Sequence, residues 1–339
     1  MTRQADPQAP TLEMVARAAG VSRATVSRVV NGSTSVRPEA VKAVNAAIAE
    51  LHYIPNQAAR SLASRSTNAI ALIVPEDVTF FFGDPFFAVI VKGITKRIDE
   101  SKYVLNLLVA SQDPNHKARK FLESGAVDGA IVTSHHVGDD LMSTHATMPV
   151  VYGGRPSTTA QDSYFVDVDN FGAAITATEH LIGIGRTRLA TITGPNDMQA
   201  SLDRLHGFQH AAAQRGLRTD LHACGNFTAE AAAQATASLL DRAGPGGIDG
   251  IFVASDLMAS GTLRVLAERG IRVPEDIAIV GFDDSPIAAK ASVPLTTIAQ
   301  QSELQGWLMV DVLLRVLAGE PEVPRSTILD TRLIKRESA

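Results

Sequence analysis

The sequence predicts an all-α helix-turn-helix head joined to an α/β body of two parallel-sheet subdomains. The first observation is uneven charge: residues 1–66 hold eight Lys and Arg against four Asp and Glu, and residues 67–339 hold 23 against 32. The second is a pair of short helical segments that meet at Gly20. The third is a long alternation of β-rich runs and amphipathic helices, which is typical of parallel sheets covered by helices. A basic head on an acidic body indicates that only the head contacts a polyanion.

Composition excludes several classes of protein. The 339 residues are 45% hydrophobic and 20% charged, as in globular proteins. The single cysteine, Cys224, excludes an intrachain disulfide and a cysteine-based zinc cluster, and it points to a reducing compartment. Apolar runs such as Ala69–Val74 are far shorter than a bilayer span, and residues 1–10 carry no hydrophobic signal core. We therefore expect a cytoplasmic protein with no membrane partner.

The head is expected to consist of three helices. Thr11 caps a helix over residues 12–19 by accepting a backbone N–H bond, and Gly20 provides the turn that follows. Ser22 caps a second helix over Arg23–Val30. A third helix is indicated by apolar residues at helical spacing, namely Val41, Val44, Ile48 and Leu51.

The body is expected to alternate strands with helices in two halves, about 68–165 and 166–299, with a cleft between them. The predicted strands are 69–74, 103–109, 129–133, 189–193, 250–254 and 276–280. The predicted helices are 87–100, 116–123, 200–214, 231–242, 257–269 and 305–318. The last helix and the last strands cross back over the cleft.

Two adjacent carboxylates, Asp283 and Asp284, follow the strand predicted over 276–280. Open parallel sheets bind ligands at the carboxyl ends of their strands. The pair could act as acid and base in glycosidic cleavage, but adjacent residues point in different directions, which favours hydrogen bonds to sugar hydroxyls. Capping of the next helix is the alternative role for Asp284.

Sequence motifs for cofactors and catalysis are missing. No G-x-G-x-x-G follows a strand and no phosphate-loop lysine is present, so we expect no nucleotide cofactor. His206 and His210 have metal-ligand spacing on a predicted helix, but Gly207 stands where a zinc protease carries its glutamate. We expect no metal and no catalytic residues.

Three segments of the head carry a family resemblance, and they read TLEMVARAAGVS at 11–22, TVSRVVN at 25–31 and LHYIPN at 51–56. This string is similar to the head of the lactose-repressor/galactose-repressor family of bacterial transcription regulators. The resemblance implies that the second helix enters the major groove of a double-stranded DNA operator, with Arg23 and Ala24 at base-reading positions and Arg28 on a guanine. It implies further DNA contacts at Thr11, Ser22, Thr25, Ser27, Asn31, Tyr53, Asn56, Arg60 and Leu62. Helix capping is the alternative role for the hydroxyl residues.

Residues 56–63 contain good helix formers but are too few to hold a helix alone in water. The resemblance implies that they fold as a hinge helix when two subunits meet in the minor groove, where Leu62 wedges into the central base step. A solvated linker with Leu62 packed on the body is the alternative. The resulting domains are a disordered tail (1–10), a helix-turn-helix head (11–55), a hinge and linker (56–67) and an effector-binding and dimerisation body (68–339).

The resemblance extends over the body, where the matching segments are 189–195, 203–208, 254–259, 279–285 and 294–298. It implies a periplasmic-binding-protein-like core with an N-subdomain, about 68–165 and 300–325, and a C-subdomain, about 166–299 and 326–339. The implied effector-binding residues are Asp84, Phe86, Arg204, Phe227, Ser255, Asp256, Asp283 and Gln300. Their chemistry suits a sugar, because forked polar groups pair with vicinal hydroxyls and aromatic rings stack on C–H faces. Core packing for the rings and an interlobe ion pair for Arg204 are the alternatives.

Two positions depart from the family pattern. Gly154 stands where related repressors often carry a carboxylate, and Ser255 replaces a frequent asparagine. We expect the glycines to widen that side of the cleft and Arg155 to act as a substitute donor to the effector, which favours an oligosaccharide. The aromatic run at 80–87, expected to line the opening, and the segment 194–198 resemble the subgroup that answers to cello-oligosaccharides and related β-glucosides. A galactoside, a maltodextrin or a corepressor is the alternative effector.

The sequence is thus identified as a member of this family, a sugar-responsive repressor that binds a pseudo-palindromic operator as a homodimer. Effector closure of the cleft is expected to weaken operator binding. The implied dimer face includes residues 88–94 and 273–286, and without a heptad tail after residue 337 a tetramer is not expected. A sugar hydrolase or kinase with an added head is one rival, and a sugar-transport component, which needs an export signal, is the other.

Overall fold

The computed structural model describes most of the chain. The described residues are 10–30, 32–33, 35–54, 66–111, 117–138, 148–156 and 163–339. The chain divides into two compact units, residues 1–67 and residues 68–339. Nearly all of the predicted hinge and of the predicted N-terminal tail lies outside the described residues.

The small unit contains the three predicted helices, α1 (Leu12–Ala18), α2 (Arg23–Val30) and α3 (Pro38–Glu50). Thr11 begins α1, because its Oγ1 accepts a hydrogen bond from the Met14 backbone N at 3.3 Å. Gly20 adopts φ +65° between the first two helices, a conformation that suits glycine. Each helix contributes one fully buried valine to the core, and these are Val15, Val26 and Val44. The predicted head fold is confirmed, with α1 one residue shorter than expected.

The large unit alternates strands and helices along the chain. Its strands are β1 (Ala69–Val74), β2 (Val104–Val109), β3 (Gly129–Thr133), β4 (Val150–Gly153), β5 (Tyr164–Val168), β6 (Leu189–Thr193), β7 (His222–Cys224), β8 (Gly250–Val253), β9 (Ala278–Asp283), β10 (Thr296–Ala299), β11 (Ser326–Leu329) and β12 (Arg332–Ile334). Its helices are α4 (Val78–Gly83), α5 (Pro85–Asp99), α6 (Lys117–Glu123), α7 (Asn170–Gly183), α8 (Gln199–Gln214), α9 (Ala229–Ala243), α10 (Asp256–Glu268), α11 (Pro286–Lys290) and α12 (Ser302–Leu317).

The strands form two six-stranded sheets. The first has the order β11-β5-β4-β3-β1-β2 and is parallel throughout. The second has the order β12-β10-β9-β8-β6-β7 and is parallel except for β12. We call the first sheet with α4, α5, α6 and α12 the N lobe, and the second sheet with α7 to α11 the C lobe. The predicted class of two parallel-sheet subdomains is confirmed.

The boundary between the lobes differs from the expected one. The sequence division placed 166–168 and 326–329 in the second half, but β5 and β11 pair with each other and β5 also pairs with β4 of the first sheet. Val166 and Val168 are buried in that ladder, so their apolar side chains stabilise the first sheet. The chain therefore crosses between the lobes three times, after β5, after β10 and after β11.

Helices α5 and α12 pack very closely in the N lobe. A Cβ on Gly306 would clash with the backbone carbonyl of Ile90, and one on Gly93 would clash with that of Glu303. Glycine at both positions permits the close approach of the two backbones.

Among the described residues, none of the helices combines the length and the apolar character that crossing a bilayer demands.

Candidate functional site

A cavity of about 730 Å³, counted with its open mouth, lies between the two lobes. Segments that follow the carboxyl ends of strands in both sheets line it, as expected for open parallel sheets. Seven of the sequence-predicted effector residues meet at this cavity together with Arg155, and these seven are Asp84, Phe86, Arg204, Phe227, Ser255, Asp283 and Gln300.

Arg204 on α8 is the buried cation of the cavity, with 6% of the residue exposed. Its Nε donates to Asn170 Oδ1 at 2.9 Å and its Nη1 donates to the Ala254 carbonyl at 2.6 Å. The guanidinium carbon lies 3.5 Å from the centroid of the Phe282 ring, so the group is held in place by stacking as well as by hydrogen bonds. Burial lowers the pKa of Arg204, and Asp283 opposes that shift.

Asp283 ends β9 with φ +111° and lies beside Arg204. Its Oδ1 accepts a hydrogen bond from Gln300 Nε2 at 2.6 Å and is 4.0 Å from Arg204 Nη1. Burial raises the pKa of Asp283 well above its ordinary value, and the Arg204 charge acts in the opposite direction. A carboxylate between an amide and a guanidinium presents the acceptor and donor groups that sugar hydroxyls require.

Asp84 and Phe86 come from the start of α5. Asp84 caps this helix by accepting a hydrogen bond from the Phe86 backbone N at 2.9 Å. Burial raises the pKa of Asp84 to about 6, while the Phe86 N–H bond and the Arg204 charge lower it. Asp84 is therefore a second acidic group of the cavity whose pKa is raised by burial.

The aromatic run at 80–87 contributes only in part to the cavity. Phe80, Phe86 and Phe87 line it, and Phe80 meets Phe87 edge-on with 5.6 Å between the ring centroids. Phe82 is 76% exposed and does not line the cavity, which corrects the expectation that the whole run forms the opening. Helix α4 causes this, because successive residues of a helix face different directions.

Phe227 lies across the cavity from these rings and has φ +51°. A Cβ on Gly194 would clash with its ring, so the glycine leaves the space that the ring fills. The guanidinium carbon of Arg204 is 5.9 Å from the ring centroid.

Asp256 differs from its predicted role, because it does not line the cavity. It is fully buried at the start of α10, where it accepts a hydrogen bond from Thr297 Oγ1 at 2.6 Å and one from the Ser285 backbone N at 2.7 Å. Burial raises the pKa of Asp256 to about 7, while these hydrogen bonds act to lower it. Its neighbour Ser255 lines the cavity and caps α10 through a 3.2 Å bond from Met258 N. Asp256 therefore connects the start of α10 to β10, through Thr297, and to the residue before α11, through Ser285.

Arg155 lines the cavity but its guanidinium reaches the opposite lobe. Its Nη2 donates to Asp203 Oδ2 on α8 at 2.6 Å. The preceding Gly154 has φ +99°. This side of the cleft is therefore bridged by Arg155, whereas the sequence predicted that it is widened.

Asp284, for which helix capping was the alternative, instead accepts a hydrogen bond from Arg336 Nη2 at 2.6 Å. The cap position of α11 belongs to Ser285.

Sequence reasoning missed several polar residues of the cavity. Asp167 accepts hydrogen bonds from the Arg155 backbone N at 2.9 Å and from Asn170 Nδ2 at 3.0 Å, and Asn170 in turn accepts from Arg204. Burial raises the pKa of Asp167. His135 also lines the cavity. Asp167 is the next-to-last residue of β5, Asn170 follows that strand and His135 follows β3, so their position at the carboxyl ends of strands is the signal that would have found them.

The predicted DNA-binding residues of the head lie mainly on its surface. Thr11, Ser22, Arg23, Ala24 and Arg28 are exposed, and Thr25 and Ser27 are half-buried. Several of them have partners on the head itself: Arg23 Nε is 3.0 Å from Glu13 Oε1, and the hydroxyls of Ser22 and Thr25 are 2.9 Å apart. Asn31, Asn56, Arg60 and Leu62 lie outside the described residues.

Tyr53 differs from the rest of that group. Only 8% of the residue is exposed, because it packs in the hydrophobic core of the three helices. The Tyr53 ring lies just after α3 and contributes to the core of the head. The family resemblance implied a DNA contact for this residue and did not indicate that packing role.

Within the described part of the chain, no group of three or more His, Cys, Asp or Glu side chains is arranged to hold a metal ion. Of the two histidines spaced for a metal, His210 meets Phe171 with 5.7 Å between the ring centroids.

Comparison with known proteins places these features in a family. The model of the lacI family of bacterial regulatory proteins matches residues 11–56, and that of a periplasmic binding protein-like domain matches residues 178–339. The HTH-type transcriptional regulator CelR of Thermobifida fusca is 43% identical over 335 residues, which are 97% of this chain and 98% of that protein.

Two solved structures show the same similarity. A complex of the transcriptional regulator CelR with cellobiose is 42% identical with a TM-score of 0.77, and the match covers 97% of this chain and 100% of the other. A lac repressor dimer bound to operator and to the anti-inducer ONPF is 27% identical with a TM-score of 0.83, over 98% and 99% of the two chains.

A helix-turn-helix head and a two-lobed body with a polar cavity define a ligand-responsive transcription regulator. The chain belongs to the lacI family of bacterial regulatory proteins, and the predicted family is confirmed. The relatives described above are transcriptional regulators.

Proposed function

We propose that this protein is a DNA-binding transcriptional repressor whose operator affinity is controlled by a cello-oligosaccharide, such as cellobiose, bound between the lobes. The observation that carries the proposal is the cavity chemistry in a chain that is 42% identical to a regulator solved with cellobiose. Arg204, Asp283 and Gln300 offer linked donors and acceptors, and Phe80, Phe86 and Phe227 offer aromatic surfaces. Sugars combine hydroxyl edges with apolar C–H faces, so this mixture of groups suits them better than it suits a fully apolar ligand.

The DNA-binding part of the proposal rests on the head. Helix α2 carries the exposed Arg28, whose planar fork matches O6 and N7 of guanine in the major groove. The neighbouring Arg23 and Ala24 are also exposed and are proposed to face base edges. The exposed Thr11, whose hydroxyl caps α1, is proposed to contact a phosphate.

The repressor is proposed to act as a homodimer in the compartment that holds the DNA, the cytoplasm. Two heads on one dimer match the two half-sites of a pseudo-palindrome. The hinge residues 56–67 are proposed to order on the operator, and a change in lobe closure on binding effector is proposed to separate them. A coupling free energy of roughly 1–3 kcal/mol between effector and operator binding would lower the operator affinity by a factor of about 5–150.

We further propose that the chain is not an enzyme. Two carboxyl groups of the cavity already have hydrogen-bond partners within the protein: Asp84 caps α5, and Asp283 accepts from Gln300 beside Arg204. Incubation with cellobiose and analysis of the products tests this, because any glucose released above the level without protein contradicts the proposal.

Calorimetric titration with mono-, di- and trisaccharides, followed by gel shift on an operator fragment, tests the effector. We expect cellobiose or cellotriose to bind and to release the operator, while glucose binds weakly. Tight binding of glucose alone, or unchanged operator affinity with every sugar, would contradict the proposed effector.

A further inference from the structure

Two side-chain bridges connect the lobes beside the effector cavity. In one, His136 Nδ1 of the N lobe is 3.0 Å from Asp197 Oδ1 of the C lobe. In the other, Arg155 Nη2 of the N lobe donates to Asp203 Oδ2 of the C lobe at 2.6 Å. The Val137 backbone N adds a third link by donating to the Asp197 carbonyl at 2.8 Å.

The bridges arise from neighbouring strand ends. His136 follows β3 and Arg155 follows β4, and these strands are adjacent in the first sheet. Asp197 lies between β6 and α8, and Asp203 lies in the second turn of α8. Both bridges therefore connect the same edge of the N lobe to the same short segment of the C lobe.

His136 is held in position by a second carboxylate from its own lobe. Glu76, which follows β1, accepts from His136 Nε2 at 3.1 Å and from Ser134 Oγ at 2.5 Å through the same Oε1. The ring thus has one acidic partner on each nitrogen, and only a doubly protonated imidazolium can donate to both.

We propose that His136 and Arg155 form an interlobe latch that retains the effector in the closed cleft, and that His136 makes this retention depend on pH. The inference rests on the proposed effector binding. The latch lies outside the group of Arg204, Asp283 and Gln300 that contacts the effector in that proposal, so it acts on lobe closure, while those residues act on the sugar itself.

The sign of the pH dependence follows from the partners of the ring. The hydrogen bond to Glu76 is the largest influence and, with Asp197, raises the pKa of His136 to about 9, while burial lowers it. The contribution of the bridge is complete below about pH 6.5 and is lost as the pH rises through about 9. The second bridge, between Arg155 and Asp203, contains no histidine and is not part of this pH dependence.

The test compares Asp197→Asn with Asp220→Asn in the full-length protein. Asp220 is an exposed carboxylate of the same lobe that pairs with Arg218 at 2.7 Å, so its variant removes an ion pair without touching the cleft. Cellobiose affinity is measured by calorimetry at pH 6.5 and 9.5. We expect the wild type and Asp220→Asn to lose roughly two- to fivefold in affinity at the higher pH, as for a partly exposed ion pair. Asp197→Asn should show that weaker affinity at pH 6.5 and little further change.

Two measurements without sugar separate the latch from the effector. Histidine NMR, with the His136 resonance identified by its absence in His136→Gln, should give a midpoint near 9 that falls in Asp197→Asn. Hydrogen exchange of the Val137 amide, which spans the lobes, should be faster in Asp197→Asn than in Asp220→Asn. If these changes occur but no variant binds cellobiose, the proposed effector fails and the latch stands. If Asp197→Asn matches Asp220→Asn in affinity, midpoint and exchange, the latch is overturned.

Discussion

Replacing Asp283 by Asn should separate effector binding from fold stability. The change keeps the shape of the side chain but replaces one carboxyl oxygen by an amide NH2, next to Arg204 Nη1 at 4.0 Å and the Gln300 Nε2 donor at 2.6 Å. A buried donor or acceptor left without a partner costs roughly 1–3 kcal/mol, so the cellobiose dissociation constant should rise by about fivefold to somewhat above a hundredfold. Calorimetric titration at pH 7 measures this directly.

Asp256→Asn is the matched control for this experiment. Asp256 is also a buried carboxylate near a strand end, but it accepts from Thr297 and Ser285 and does not line the cavity. An asparagine there has one acceptor for two donors, so we expect about 1–3 kcal/mol less free energy of unfolding and little change in sugar affinity. Equal loss of affinity in both variants, or none in Asp283→Asn, would refute the assignment of roles from the cavity geometry.

Three further predictions concern the head, the N lobe and pH. Arg28→Ala should weaken binding to the specific operator by roughly 1–3 kcal/mol in gel shifts, whereas equal weakening on random DNA would contradict base reading. Gly306→Ala should lower the free energy of unfolding by about 1–3 kcal/mol in thermal denaturation, because the added Cβ clashes with the Ile90 carbonyl. Gly83→Ala is the control, since the space around Gly83 is open and no such loss is expected. Equal losses in the two variants would contradict the close packing of α5 and α12. The pKa of Asp84, raised to about 6, makes its contribution to the free energy of unfolding fall between about pH 4 and 6. Asp84→Asn keeps a side chain that can cap the helix. Its free energy of unfolding in urea should therefore rise relative to that of the wild type from pH 4 to 7. A difference between the two proteins that does not change with pH would contradict the raised pKa.

Local chemistry explains which elements the sequence predicted well. The head helices have a capping hydroxyl at Thr11, a glycine turn at Gly20 and regular apolar spacing, so their bounds agree with the structure to within a residue where a range was predicted. Strands such as β1 and β3 are continuous apolar runs, and their predicted bounds match those in the structure.

Elements that depend on distant partners were missed or misplaced. Strands β5 and β11 have only five and four residues, and β11 joins the first sheet only through β5, more than 150 positions earlier in the chain. Helix α7 begins with Asn-Phe-Gly and contains Thr and Ile, which are weak helix formers, so tertiary packing stabilises it.

The candidate site shows the same division. Asp283 was found because it follows a predicted strand, but Asp256 was assigned to the cavity by its family position alone, and its partners Thr297 and Ser285 come from β10 and from the cap position of α11. The partner of Arg155 lies 48 residues away on another lobe. Side-chain direction and interlobe pairing depend on the assembled fold, and no local pattern encodes them.

The three chain crossings limit how the body can move. Two of the crossings follow β5 and β11, which are neighbours in one sheet, and the third follows β10, which is the neighbour of β12 in the other. Two lobes connected by three chain crossings can rotate relative to each other about the region of those crossings, but they cannot separate. Rotation of one lobe relative to the other is therefore centred on the region of the three crossings, and the ends of the lobes far from that region would move furthest.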